Sequence, residues 1–118
     1  MAVVGIGVDV VDVARFVDVV ERSPGLVPRV LTDEEARGRR PPSLAARFAA
    51  KEALAKALGA PRGLRWHDAQ VRQEPDGRPV LTTTGTVAAA LAARGVSQVH
   101  LSLTHDGGVS VAMVVLES

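Results

Sequence analysis

The chain has 118 residues, 47% of them hydrophobic but only 3% aromatic, with no cysteine and no tyrosine. That length supports a single domain, 1–118, with a modest core of the kind that often completes its burial by oligomerising. Fourteen basic residues against 13 acidic ones leave a net charge of +1, which excludes a general nucleic-acid binder; the missing cysteines exclude disulfides, thiolate metal sites and thiol nucleophiles.

The N-terminus, MAVVGIGVDVV, lacks a basic leader and is broken by glycines and Asp9. It reads as neither a signal peptide nor a membrane span, and a cytoplasmic protein is expected. Val3 to Val10 alternates as a strand does. Val4, Ile6, Val8 and Val10 share one face, expected to be packed, and Gly5, Gly7 and Asp9 share the other, expected to be bare. Two successive glycines on one face admit close approach by a ligand or another backbone. Asp9, set among valines, is either the cap of the next helix, with Asp12 near its first turn, or a ligand.

From Val11 to Arg22 the residues Val13, Phe16, Val17 and Val20 keep the spacing of an amphipathic helix, stopped by Ser23-Pro24-Gly25. Arg15 and Arg22 flank Val19 on its outer side, a solvated face that would also suit an acidic helix. Leu26 to Leu31 reads as an apolar connection, and Thr32-Asp33-Glu34-Glu35 as a capping box opening a short helix. RGRRPP, Arg37 to Pro42, reads as a solvated loop closed to helix by its prolines, with three arginines that could reach an anion.

The firmest element is a helix from Leu44 to Leu58, with Ser43 as N-cap, Gly59 as the left-handed residue after its end and Pro61 beyond. Phe48, Glu52 and Lys56 form one stripe, Arg47 and Lys51 a second beside it, so one edge is expected to present three cations around one carboxylate. Lys51 and Lys56 are the only lysines among the 14 basic residues, and an ammonium suits a phosphate oxygen as a point charge. Glu52 and Lys56 also read as an ordinary i,i+4 pair, worth about 0.3–0.5 kcal/mol.

After it, Gly63 to Glu74 contains a strand, Asp76-Gly77 a hairpin turn and Pro79 to Thr84 the returning strand. Gly85 to Arg94 reads as an alanine-rich helix stopped by Gly95. Val99 to His105 and Val109 to Leu116 form a second hairpin about Asp106-Gly107-Gly108. Trp66 is expected in the core, and His67 and His100 at the surface. His105 differs, since it ends a strand beside a glycine turn. With no histidine cluster at metal spacing and only oxygen ligands available, Mg²⁺ is the natural cation for Asp9 and Glu52.

Three stretches, GIGVDVVDVARF (Gly5–Phe16), LAARFAAKEALAKALG (Leu44–Gly59) and LSLTHDGG (Leu101–Gly108), together resemble the holo-acyl-carrier-protein synthase family, the small trimeric class of 4′-phosphopantetheinyl transferases. RVLTDEE, Arg29–Glu35, adds support. The resemblance implies an α+β fold, a small antiparallel sheet packed with helices, and transfer of 4′-phosphopantetheine from coenzyme A to a serine of an acyl carrier protein. It implies Mg²⁺ held by Asp9 and Glu52, phosphate binding by Arg47, Lys56 and His105, and Phe48 and Gly59 near the nucleotide. It further implies a homotrimer with sites at subunit interfaces, and carrier docking through Arg15 and Arg22. Val11 stands where larger relatives carry a second acid, so phosphate and water must complete the metal shell. A metal-bound water, Glu52 or Asp106 remains open as the base, and the carrier could serve fatty-acid or polyketide synthesis. A Mg-dependent nucleotide-binding module without turnover is the alternative, and beside it a structural domain in which Glu52–Lys56 is a salt pair and Asp9 a cap.

Overall fold

The computed structural model describes residues 2–118. In chain order the elements are β1 (Val3–Asp12), α1 (Val13–Arg22), α2 (Leu26–Val30), α3 (Asp33–Ala36), α4 (Pro41–Ala57), β2 (Ala69–Gln73), β3 (Pro79–Thr83), α5 (Gly85–Ala93), β4 (Gln98–Asp106) and β5 (Val109–Glu117), with one 3-10 turn at Trp66–Asp68. β1, β5 and β4 make an antiparallel sheet in that order, and β2 pairs with β3 as a separate hairpin. This is the expected α+β architecture. Gly107 and Gly108, both at positive φ, are the two residues between the paired ends of β4 and β5, which is the backbone a type I′ turn requires.

α4 crosses the inner face of the sheet, packing chiefly on β1 and β5. Its Ala49, Ala50, Ala53, Leu54 and Ala57 meet Ala112, Val114 and Leu116 of β5 in the core. Small residues on the helix let its backbone come close. The closest approach is to β1, and it reverses the expected facing of that strand. A Cβ on Gly7 would lie 1.9 Å from the Ala53 carbonyl oxygen, and one on Gly5 would lie 2.3 Å from that of Ala57. The glycine face is therefore the packed one. Ile6, Val8 and Val10, expected inside, are 53–61% exposed, with Met113 of β5 beside them at 42%; Val4, next to a register irregularity, packs against the core.

Several boundaries also move for physical reasons. Asp12, not Asp9, caps α1, its Oδ1 accepting from the Arg15 N–H at 2.9 Å, so β1 runs two residues further than expected. Leu26–Val30 coils into a short helix instead of an extended connection. Pro41 and Pro42 are inside α4, not before it, with Arg40 at the N-cap and Ser43 in the first turn. Proline is tolerated there because its missing N–H would have had no partner anyway. The far end of α4 is as expected: the Gly59 N–H donates to the Lys56 carbonyl and the Ala60 N–H to that of Ala55, the paired bonds of a Schellman motif.

Lys51 departs from its expected place. It is 1% exposed, and its Nζ donates to Glu35 Oε1 (2.7 Å), the Val30 carbonyl (2.8 Å) and the Trp66 carbonyl (3.0 Å). Glu35, equally buried, accepts from Thr32 N–H and Val71 N–H besides. Three acceptors around one nitrogen suit an ammonium and no planar guanidinium, which accounts for lysine in a chain that otherwise uses arginine. Burial lowers the Lys51 pKa, and Glu35 opposes that. Trp66 is half-buried at the rim of this cluster and not in the core.

Candidate active site

Glycine spacing on β1 sets the first half of the site. Gly5 abuts Ala57 and Gly7 abuts Ala53, so two strand residues advance as four helix residues recede, each about 6–7 Å. The next inward residue, Asp9, then comes level with the turn carrying Glu52. Lys56, one turn on, donates from Nζ to Asp9 Oδ1 at 3.0 Å and to the Val8 carbonyl at 3.1 Å. Glu52 is half-buried, and among the described residues neither of its oxygens accepts a hydrogen bond. Its pKa is raised, first by burial and then by the Asp9 carboxylate, with Lys56 partly offsetting both. Two acids facing one cation with anionic capacity to spare are a fit for a hard divalent ion. No group of three or more metal-ligating side chains occurs among the described residues, so the protein would supply two ligands and leave the others to phosphate and water, the habit of Mg²⁺.

Phe48, on the same stripe as Glu52 and Lys56, packs its ring 5.6 Å from that of Phe16. This contact seats α1 against α4 and leaves Arg15, Val19 and Arg22 exposed on its outer side. Gly59, seven residues after Glu52, forms the left-handed end of the stripe at φ 80°.

The second half lies on the β4 side of α4. His105 pairs with Ser110 of β5, a fully buried residue whose Oγ donates to the Pro42 carbonyl at 2.8 Å. Residues directly opposite in a ladder share a face, so His105 stands on the helix side, at the N-terminal turn of α4. It lines a cavity of about 450 Å³ with Arg39, Arg40, Pro42 and Ser43, and one of about 210 Å³ with Ser43, Arg47, Gln73 and Leu103. Arg47 is 4% exposed, with Nη1 on Ser43 Oγ at 2.6 Å, while its Nε and that of Arg39 are buried without partners. Burial, and then the charge of Arg39, lower the Arg47 pKa against the opposing pull of Glu35. Buried cationic N–H groups lacking acceptors point to an anion.

The structure thus joins Asp9, Glu52 and Lys56 on one flank of α4, and Arg47 and His105 on the other. It does not join the two groups within one chain: β5 separates the strand of Asp9 from that of His105, and neither cavity at His105 is lined by Asp9, Glu52 or Lys56. The expected ring of three cations about Glu52 is not formed, since Lys51 and Arg47 turn away from it. Asp106 is exposed beyond His105, on the far flank from Glu52. Arg39 is one of the three arginines of the Arg37–Pro42 run, which reads as a solvated loop able to reach an anion; the β2–β3 hairpin is where it is expected, but its place beside the cavity, through Gln73, Gly77 and Pro79, has no signal in the sequence.

With fold and site together, the class is defined. The chain belongs to the 4′-phosphopantetheinyl transferase superfamily, whose family model matches residues 5–114. It is 61% identical over 118 residues, the whole of both chains, to the holo-acyl-carrier-protein synthase of Frankia casuarinae. Among solved structures it resembles the holo-acyl-carrier-protein synthase of Neisseria meningitidis (TM-score 0.86, 30% identity, 99% of this chain and 100% of that one). It also resembles that of Helicobacter pylori in complex with coenzyme A (TM-score 0.83, 29% identity, 95% and 99%).

Proposed function

We propose that this chain, acting as one domain, transfers the 4′-phosphopantetheine arm of coenzyme A to a serine hydroxyl of an acyl carrier protein and releases adenosine 3′,5′-bisphosphate. The observation that carries this reading is the meeting of Asp9 and Glu52, 43 positions apart in the numbering, beside Lys56. Asp9 and Glu52 would hold Mg²⁺, which supplies neutralisation of the charge on a pyrophosphate. Lys56, with its side chain 54% exposed, offers an ammonium to the same oxygens. The serine oxygen bonds to the phosphorus nearer the pantetheine, the bridging P–O bond breaks toward the adenosine side, and the serine proton leaves to a base. Arg47 and His105 bind phosphate at the nucleotide end, with Phe48 and Gly59 nearby, and Arg15 and Arg22 receive the acidic carrier.

The reading includes a homotrimer in the cytoplasm with sites between subunits. Two observations support assembly. Ile6, Val8, Val10 and Met113 form an exposed apolar sheet face, of a kind that marks interfaces. The two charged flanks of α4 complete one site most simply when they belong to neighbouring chains. No helix among the described residues is long and apolar enough to cross a membrane.

The test is intact-mass measurement of apo carrier proteins, from fatty-acid and polyketide systems, incubated with the protein, coenzyme A and Mg²⁺. A gain of one phosphopantetheine on at least one carrier is expected. Carriers of unchanged mass would refute the transfer, and coenzyme A binding without transfer would leave a nucleotide-binding module.

A further inference from the structure

We propose that Ser43 is a further binding residue of the phosphate site on the β4 flank, its hydroxyl donating to a phosphate oxygen of the nucleotide beside Arg47. The inference rests on the phosphate-binding role given above to Arg47 and His105, and it names a donor that this role leaves unassigned.

The helical N–H groups at this end of α4 have nothing to offer an anion. A helix N-terminus usually presents free N–H groups, but here N1 and N2 are Pro41 and Pro42. The next two N–H groups, of Ser43 and Leu44, both donate to the Arg40 carbonyl at 3.0 Å. Donors must therefore come from side chains. A hydroxyl carries one hydrogen and two lone pairs. Ser43 Oγ uses a lone pair to accept from Arg47 Nη1 at 2.6 Å, and its hydrogen has no acceptor among the described residues. Both cavities at His105 are lined by Ser43. The hydroxyl thus faces the same space as His105 while being oriented, and made a better donor, by the buried guanidinium.

Its position relative to His105 is held by one buried bond. Ser110, opposite His105 in the ladder, donates to the carbonyl of Pro42, the residue before Ser43. The two prolines stiffen the turn, so the bond sets where Ser43 sits. Ser110 is a positioning residue here, and Ser43 the one that touches the ligand.

The experiment measures KM and kcat for coenzyme A, at saturating Mg²⁺ and carrier, in the wild type, Ser43→Ala, Ser43→Thr and Arg47→Ala. Loss of one hydrogen bond to a charged group raises KM about ten- to a hundredfold in Ser43→Ala, with kcat and melting temperature close to wild type. Ser43→Thr, which keeps the hydroxyl, restores KM. A Ser43→Ala KM equal to wild type, with Arg47→Ala strongly raised, would overturn the role of Ser43 alone. Unchanged KM in both variants would overturn the phosphate site itself, and this inference with it. A fall in kcat or stability without change in KM would show a purely structural serine.

Discussion

Replacing Gly7 by alanine tests the packing that brings Asp9 level with Glu52. The added methyl would sit 1.9 Å from the Ala53 carbonyl oxygen and 2.9 Å from the Ala57 nitrogen, both backbone atoms that no rotamer change can move. Restoring ordinary contact requires α4 to lift from β1 by about 1.5 Å. Overpacking of this kind costs about 3 kcal/mol, at the upper end of the usual range, and lowers Tm by roughly 10–20 °C in a domain of this size. The same lift separates Glu52 from Asp9, and a displacement of about 1 Å at a reacting centre removes roughly a hundredfold in rate. Thermal unfolding and the carrier mass-shift assay, run on Gly7→Ala and on Gly25→Ala, read the two effects. Gly25 is the control because a Cβ there meets nothing closer than 3.8 Å. A Gly7→Ala protein with wild-type Tm and turnover would refute the reasoning.

Other perturbations separate the remaining parts. Glu52→Gln abolishes transfer yet stabilises the metal-free protein. The folded state raises the Glu52 pKa, so ionised Glu52 opposes folding, and the variant's advantage in Tm is absent below the usual carboxylate pKa and grows as pH rises through the folded-state value; an unchanged Tm difference from pH 3 to 8 contradicts this. Lys51→Met leaves Glu35 charged and buried without its counter-ion, and chemical denaturation is expected to show a loss of about 3–5 kcal/mol. Arg22→Glu raises KM for the acidic carrier, more steeply at low salt, while KM for coenzyme A stays at its wild-type value; a parallel rise in both would remove α1 as the docking helix.

Local chemistry was legible wherever its cause was local. The Thr32–Glu35 capping box, the Gly59 helix end and the Gly107-Gly108 turn all depend on residues within a few positions, and the structure has each of them. The Phe48, Glu52, Lys56 stripe followed from helical spacing in the same way. What alternation could not tell was which face of β1 lies inside. Hydrophobicity chose the valines, whereas the helix chose the glycines, because only a surface without side chains admits its backbone. Lys51 was misplaced for a similar reason: its partner Glu35 is 16 residues away, and no periodicity within α4 reports it. The prolines at 41 and 42 read as breakers in sequence because their effect depends on position in the helix, and Ser43 then reads as the cap that Arg40 supplies in the structure.

The partition of charged groups to either side of α4 has a genetic consequence. In the assembly proposed above, each polypeptide would contribute to two neighbouring centres instead of owning one. A defect confined to Glu52 and a defect confined to His105 then spoil different centres when the two polypeptides co-assemble, so cells or tubes holding two individually dead alleles should regain a share of turnover that neither shows alone.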